Sequence, residues 1–437
     1  MRFVYLLAVY LAAPLISAVF LWRGLRDRGY WRNFGERFGF GAPAPPHGVW
    51  IHAVSVGEVQ ACAPLVGVLR QRYPDLPLTV TALTPTGTAR ARALFGNAAQ
   101  VRYVPFDLPG AVRRFFARVQ PRLAVIVETE LWPNLYRECG RRRVPLVLAS
   151  ARVSARSVGR YRRLGALFRD TLSQAAVVAA QGTVDAERFH ALGADPATTH
   201  VTGNLKFDFE LPPQTVERGA RLREQYARGR PLWVAGSTHG GGEERALLEA
   251  QQRVRAVHPE ALLVLAPRHP QRFAEVAALL HQAGVSFVRR SQGAAAAAQN
   301  CEVLLLDSLG ELLDFYAAAD VAFVGGSLVP AGGHNLLEPA ALGVPILTGP
   351  NTFNSEEIAR LLLARGAAEV VHDAAELAAR LGQLLAEPER RTRMGEQGRA
   401  SVDGNRGALL KLLALIEPLL AQRDAQGLPP GGGGGGS

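Results

Sequence analysis

DSLGELLDFYAAADVAFVGGSLVPAGGHNLLEPAALGVPILTGP, residues 307–350, is read first as a helix signal, Leu309 to Ala319. The apolar, β-branched run Val321 to Val324 follows and predicts a buried parallel strand. Next comes Gly325-Gly326-Ser327, then a polar loop through Gly332-Gly333-His334, a second helix from near Asn335, and a further strand at Val344 to Leu347. Strand, glycine-rich loop, helix, strand is the layout of a nucleotide site in an open parallel sheet. Asn335 and Glu338 have the spacing of a helix cap, and the simplest reading stops there. Glycine costs backbone entropy, however, and a loop this rich in it is better explained by a ligand. An acidic side chain at Glu338 then serves to accept from ribose hydroxyls.

Upstream of this stretch the same plan repeats. A strand at Leu232 to Gly236 runs into Ser237-Thr238-His239-Gly240-Gly241-Gly242, with Glu243 opening a helix. Loop amides and a helix N-terminus predict an anion site there. The Gly-Lys-Ser/Thr ending of a Walker loop is missing. A strand at Leu262 to Ala266 ends in Pro267-Arg268-His269-Pro270, which places a cation at a strand's carboxyl end. Ser308 and Glu311 form a capping-box spacing, with Gly310 between them permitting close backbone approach.

The first half of the chain holds strands at Val49–Val54, Leu78–Thr81, Leu123–Val127, Val144–Leu148, Val177–Ala180 and His200–Thr202. Ser55-Val56-Gly57-Glu58 follows the first of them. Glu58 either closes a capping box with Ser55 or faces a ligand at the strand end. Glu128-Thr129-Glu130-Leu131-Trp132-Pro133-Asn134 carries two carboxylates one residue apart, expected on opposite faces. One would face a cleft and the other cap the helix that Pro133 starts. Gly203-Asn204-Leu205-Lys206-Phe207-Asp208 offers a lone lysine on a turn, while Asp208-Phe209-Glu210 is a chance match to a metal motif. Leu211-Pro212-Pro213 reads as a linker. Alternating strand and helix in both halves predicts two doubly wound α/β domains with a cleft between them.

The 437 residues carry a net charge of +11, which calls for an anionic partner. Arg141-Arg142-Arg143 and the run 156–163 are either solvated faces or lipid and phosphate contacts. Cys62, Cys139 and Cys301 are too widely spaced for a disulfide framework or a zinc site. Phe3 to Trp22 is uncharged, apolar and long enough to span a hydrocarbon core, with Pro14 a tolerated kink. Arg23, Arg26, Arg28 and Arg32 follow it, so the positive-inside rule leaves the remainder in the cytoplasm. The expected division is an anchor over 1–28, domains over 29–210 and 211–426, and a disordered glycine-rich tail over 427–437.

Seven motifs in this order resemble the Kdo transferases of lipid A assembly, where Kdo is 3-deoxy-D-manno-octulosonic acid. They are SVGE (55–58), ETELWPN (128–134), GNLKFD (203–208), GSTHGGGEE (236–244), PRHPQRF (267–273), DSLGEL (307–312) and GGHNLLEP (332–339). The resemblance implies a GT-B fold, a CMP-Kdo donor and a lipid A precursor as acceptor (lipid IVA), in lipopolysaccharide biosynthesis at the inner membrane. It places the catalytic base on Glu58 and transition-state roles on Glu128 and Lys206. It places donor contacts on Arg268 and His269, on Leu309, Gly310 and Glu311, and on Asn335, Leu336, Leu337 and Glu338.

Single displacement with inversion needs a base for the acceptor hydroxyl. It also needs a cationic or amide site for the departing monophosphate, so neither a metal nor a cofactor is expected. Two rivals remain: a GT-B transferase using a UDP-sugar, and a membrane-anchored binder of anionic lipid without catalysis. Dispersed basic residues with no aromatic-interleaved patch speak against a nucleic-acid partner.

Overall fold

The computed structural model describes residues 2–162, 164–293 and 301–425. The low-complexity loop 294–298, the tail from Gly427 and Arg163 lie outside the described residues. The chain forms two compact units, Met1–Phe209 with Asn405–Ser437, and Glu210–Gly404. Each is a seven-stranded, all-parallel sheet covered by helices.

In the first unit the strands are β1 (Val49–His52), β2 (Leu78–Ala82), β3 (Gln100–Tyr103), β4 (Leu123–Val127), β5 (Leu146–Ala151), β6 (Val177–Ala180) and β7 (Thr199–Val201). They lie in the order β3-β2-β1-β4-β5-β6-β7, so the order reverses between β1 and β4. The two central strands read as unbroken apolar runs because both faces are covered. Val49 and Ile51 enter one core with Val125 and Leu65, whereas Trp50 enters the other with Ile126 and Phe116. Each such fully buried aliphatic side chain contributes about 1.5–3 kcal/mol relative to exposure.

The final helix, Ala408–Ala425, corrects the expected domain division. It was assigned with residues 211–426, yet Leu412, Leu413, Ile416 and Leu420 complete the core of the first sheet. Asp208 fastens it, accepting from the amides of Gly407 at 2.6 Å and Leu409 at 2.7 Å. That is the work of the carboxylate in the apparent metal motif. An amphipathic pattern states that a helix buries a stripe, not which sheet receives it.

The apolar N-terminal run forms one helix, Arg2–Gly24. Tyr5, Val9, Ala12, Ala13 and Phe20 form a half-buried stripe along the first unit, while Phe3, Leu11 and Leu15 on the other side are 78%, 71% and 67% exposed. The Tyr5 hydroxyl donates to Asp107 at 2.6 Å, and Phe20 packs edge-on to Phe106 at 5.5 Å. The buried Arg37 guanidinium lies 4.5 Å from the Phe20 ring and 4.0 Å from that of Tyr103. These cation–π contacts hold the end of the helix against the domain.

The second unit contains β8 (Leu232–Thr238), β9 (Leu262–Pro267), β10 (Phe287–Arg289), β11 (Val303–Leu305), β12 (Val321–Val324), β13 (Ile346–Thr348) and β14 (Ala368–Val370). Their order is β10-β11-β9-β8-β12-β13-β14, with the reversal between β8 and β12. Strands β3, β10 and β11 had no counterpart in the sequence reading. They are three or four residues long, and β3 and β10 are sheet edges that carry Arg102 and Arg289. A short edge strand leaves too little apolar periodicity to read.

Candidate active site

In open α/β sheets ligands bind outside the carboxyl ends of the strands, at the point where the order reverses. In the first unit that point lies between β1 and β4, and the two loops leaving it carry Glu58 and Glu128. Ser55 caps the helix Val56–Ala61, its Oγ accepting from the Glu58 amide. The Glu58 carboxylate folds back on the strand end. Its Oε2 accepts from the Val54 amide at 2.7 Å and its Oε1 from the Ser55 hydroxyl at 2.9 Å. Burial, reinforced by the nearby Glu128 and Glu130 charges, pushes Glu58 up to about 7, against the two hydrogen bonds. The side chain that closes the cap is therefore also a carboxyl that titrates near neutrality.

Glu128 ends β4 with φ of +62°, a left-handed conformation that costs a non-glycine residue about 1–3 kcal/mol. Its carboxylate pairs with Lys206 Nζ at 2.6 Å. The positive φ interrupts the extended alternation behind the expectation that Glu128 and Glu130 face opposite ways, and both charges help raise Glu58. Nor does Glu130 cap the next helix, since it accepts from the Trp132 indole at 2.5 Å. The helix Pro133–Arg141 is capped by Asp107, which accepts from the Asn134 and Leu135 amides at 3.0 and 2.8 Å.

Lys206 stands on a short turn, Leu205–Asp208, whose N-cap Asn204 accepts from the Lys206 amide at 2.9 Å. Behind it Ser150, also at positive φ, accepts from the Leu205 amide at 3.3 Å and from Gln181 at 3.2 Å. Gln181 in turn accepts from Asn204 at 3.2 Å. Sequence reasoning missed this supporting set, because Ser150, Gln181 and Asn204 are scattered polar residues that only the sheet brings together. Arg141 and Arg142, candidates for lipid or phosphate contact, are instead both bonded to Glu138.

In the second unit the reversal between β8 and β12 brings together His239 and His334, whose Nε2 atoms lie 2.8 Å apart in stacked rings. His269, after β9, meets the His239 ring edge-on at 5.3 Å. Burial and the adjacent Arg268 charge hold His334 well below the usual imidazole range, and both lower His269. The three rings are thus kept neutral beside an exposed arginine. Gly326 is required here: its φ is +69°, and a Cβ would come within 3.0 Å of the His334 ring.

At the glycine-rich loop after β8, where an anion site is expected, a carboxylate of the chain itself, Glu243, takes one loop amide. Its carboxylate accepts from the amides of His239 and Gly326 at 2.8 Å each, and of Ser327 and Leu328 at 3.1 Å each. An internal anion thereby ties that loop to the one after β12. Of these four amides, that of His239 belongs to the loop after β8 and the other three to the loop after β12.

Leu309 is exposed and Gly310 has φ of +89°. Among the described residues no acceptor faces the amides of Leu309, Gly310 and Glu311. The Glu311 carboxylate pairs with Arg290 at 2.6 Å. Asn335 precedes the helix Leu337–Ala341, whose N-cap is Leu336, and its side chain accepts from the Leu337 amide at 3.1 Å and donates to Glu338 at 3.1 Å. Leu336 and Leu337 are buried in the core. Among the expected donor contacts, Arg268, His269, Leu309, Gly310 and Asn335 are exposed, and Glu311 and Glu338 are partly buried. Arg268→Ala is expected to weaken CMP binding by about 1.5–3 kcal/mol through loss of a charge-assisted bond. Glu338→Ala is expected to weaken it as well. Unchanged affinity of both variants by calorimetry would move the nucleotide elsewhere.

A profile described as 3-deoxy-D-manno-octulosonic-acid transferase (kdotransferase) matches residues 32–209, and one described as glycosyl transferases group 1 matches residues 245–401. The 3-deoxy-D-manno-octulosonic acid transferase of Haemophilus influenzae is 42% identical over 423 residues, covering 96% of this chain and 99% of that protein. The protein of the same description from Bordetella pertussis is 43% identical over 433 residues, with coverage of 96% and 99%. Among solved structures, UDP-GlcNAc 2-epimerase from Neisseria meningitidis aligns with a TM-score of 0.56 at 14% identity, over 84% of this chain and 99% of that one. That likeness is of fold alone.

Proposed function

This chain belongs to the 3-deoxy-D-manno-octulosonic acid transferase family, and from that membership we propose that it moves Kdo from CMP-Kdo to a lipid A precursor with inversion. The enzyme is a glycosyltransferase. The observation that carries the mechanism is the cluster of Glu58, Glu128 and Lys206 at the reversal point of the first sheet. Glu58 takes the proton of an acceptor sugar hydroxyl as its oxygen bonds to the anomeric carbon of Kdo. The bond from that carbon to the phosphate oxygen breaks, and CMP leaves with the electron pair. The transition state has oxocarbenium character, as in glycoside cleavage. Lys206, paired with Glu128, stabilises the Kdo carboxylate or the departing phosphate in this reading.

In the second unit Arg268 and His269 serve the phosphate, the Leu309–Glu311 amides add donors, and Glu338 serves the ribose. A monophosphate leaving group of this kind is stabilised by guanidinium and amides without a divalent ion. The test is an incubation with CMP-Kdo and a tetra-acylated disaccharide acceptor. CMP release with a product heavier by whole Kdo units is expected, and CMP rather than UDP competes. No Kdo transfer, or competition by UDP alone, would overturn the reading.

The helix Arg2–Gly24 is the anchor, on the inner membrane with both units in the cytoplasm, as the basic flank after it favours. Removing residues 1–28 is expected to yield a soluble protein with both sheets intact, because their cores draw nothing from that segment. Activity should fall mainly on membrane-presented acceptor. A truncated chain lacking a cooperative thermal transition would make the helix part of the fold rather than an anchor.

A further inference from the structure

The N-terminal helix does not lie flush on the first unit. Between them runs an open groove of about 440 Å³, within the roughly 300–1,000 Å³ typical of ligand pockets. The helix supplies one wall through Val9, Ala12, Ala13 and Ile16, and the domain supplies the other through Leu83, Phe106, Leu108 and Leu131. Its one carboxylate, Asp107, is already engaged by the Tyr5 hydroxyl and by the amides of Asn134 and Leu135. What remains facing the groove is hydrocarbon.

Position gives this groove its meaning. Leu83 follows β2, Phe106 and Leu108 follow β3, and Leu131 and Trp132 follow β4. The groove therefore opens on the same edge of the sheet as Glu58 and Glu128, and Leu131 and Trp132 belong to the loop that carries Glu128. Trp132 is fixed in turn by its bond to Glu130. The outer wall is the apolar helix itself, whose far side is exposed hydrocarbon. The groove thus shares the carboxyl edge of the sheet with Glu58 and Glu128, and its outer wall is the helix read as the anchor.

We propose that this groove takes one acyl chain of the lipid acceptor and so positions the acceptor sugar at Glu58. The inference rests on the lipid-acceptor reading above. Lipid tails are as apolar as leucine, so moving a chain from bilayer to groove yields little driving force. The groove acts by fit: it favours acceptors whose chain lies at the correct reach from the reacting hydroxyl. Small side chains at Ala12 and Ala13 leave the width a chain needs.

The experiment uses the full-length protein in detergent micelles with two acceptors, one tetra-acylated and one deacylated. Ala12→Phe narrows the groove, and Leu11→Phe, 71% exposed on the opposite side, is the control. Ala12→Phe is expected to raise KM for the acylated acceptor about tenfold relative to the deacylated one, with kcat held within about twofold. Leu11→Phe should match the wild type. In parallel, an acceptor bearing a terminal diazirine on one acyl chain should label residues 8–16 or 131–132 of the wild-type protein, a readout independent of how any variant folds. Equal loss on both acceptors, no change with Ala12→Phe, or labelling abolished by bulk phospholipid without effect on acceptor KM would each overturn the groove. Failure of the wild-type protein to transfer Kdo to any acylated acceptor would instead overturn the function itself.

Discussion

Glu58→Gln is expected to lower turnover by about a hundred- to ten-thousand-fold, the usual cost of losing a general base. The substitution is chosen because the side chain also caps a helix. Glutamine keeps the length and an oxygen to accept from the Val54 amide, so a purely capping role predicts almost no change. CMP affinity should stay near wild type, since the groups proposed to bind the nucleotide lie on the second sheet. The pH profile supplies the sign. Glu58 works as a base only when ionised, so wild-type kcat/KM should rise through about pH 7 to a plateau. The residual activity of Glu58→Gln should lack that limb.

Stability runs the other way. A carboxyl raised from its ordinary value to about 7 binds its proton more tightly in the folded than in the unfolded protein. Its contribution to stability is full below the unfolded value and is lost as pH rises through 7. Wild-type Tm should fall across that window more steeply than that of Glu58→Gln. Near-normal turnover in a folded Glu58→Gln protein would reduce the residue to a cap and shift the search for the base to Glu128.

Lys206→Met should lower kcat by about a hundred- to a thousand-fold, the range for removing one preorganised charge or donor from a transition state. The ammonium now sits 2.6 Å from Glu128. Without it the Glu128 charge acts on Glu58 uncompensated, so the rising limb of the pH profile should also move to higher pH. That displacement separates a role in the reaction from a structural one, which would alter Tm and leave the profile in place. Arginine at this position is not expected to rescue fully, because its planar fork cannot replace a compact point charge. A Lys206→Met enzyme with wild-type kcat would exclude the lysine from the reaction.

Much of this molecule is legible one segment at a time. The central strands β4, β6 and β12 fall on the predicted residues because buried parallel strands are continuous apolar runs, bounded here by glycine, proline or charge. The loops at Glu58, Glu128, Lys206, Arg268, Gly310 and Asn335 stand out for the same local reason, as polar or glycine-rich breaks at strand ends. Glu243 is the instructive case. Its loop reads as a source of amide donors, but that a carboxylate of the chain takes one amide there and three from another loop depends on the two loops meeting across β8 and β12.

Sequence alone determined the alternation of strand and helix, the apolar N-terminal run, and the residue types presented at each strand end. These follow from periodicity and turn chemistry, which act within a few residues. Tertiary structure decided which sheet the last helix covers, which carboxylates act on Glu58, and what Glu243 and Asp107 bind. It also brought His239 to His334, and left a groove beneath the N-terminal helix. All of these are contacts between residues far apart in the chain. They are set by strand order and by how the loops meet, because a charge or a hydrogen bond acts over ångströms of space and takes no account of separation along the chain.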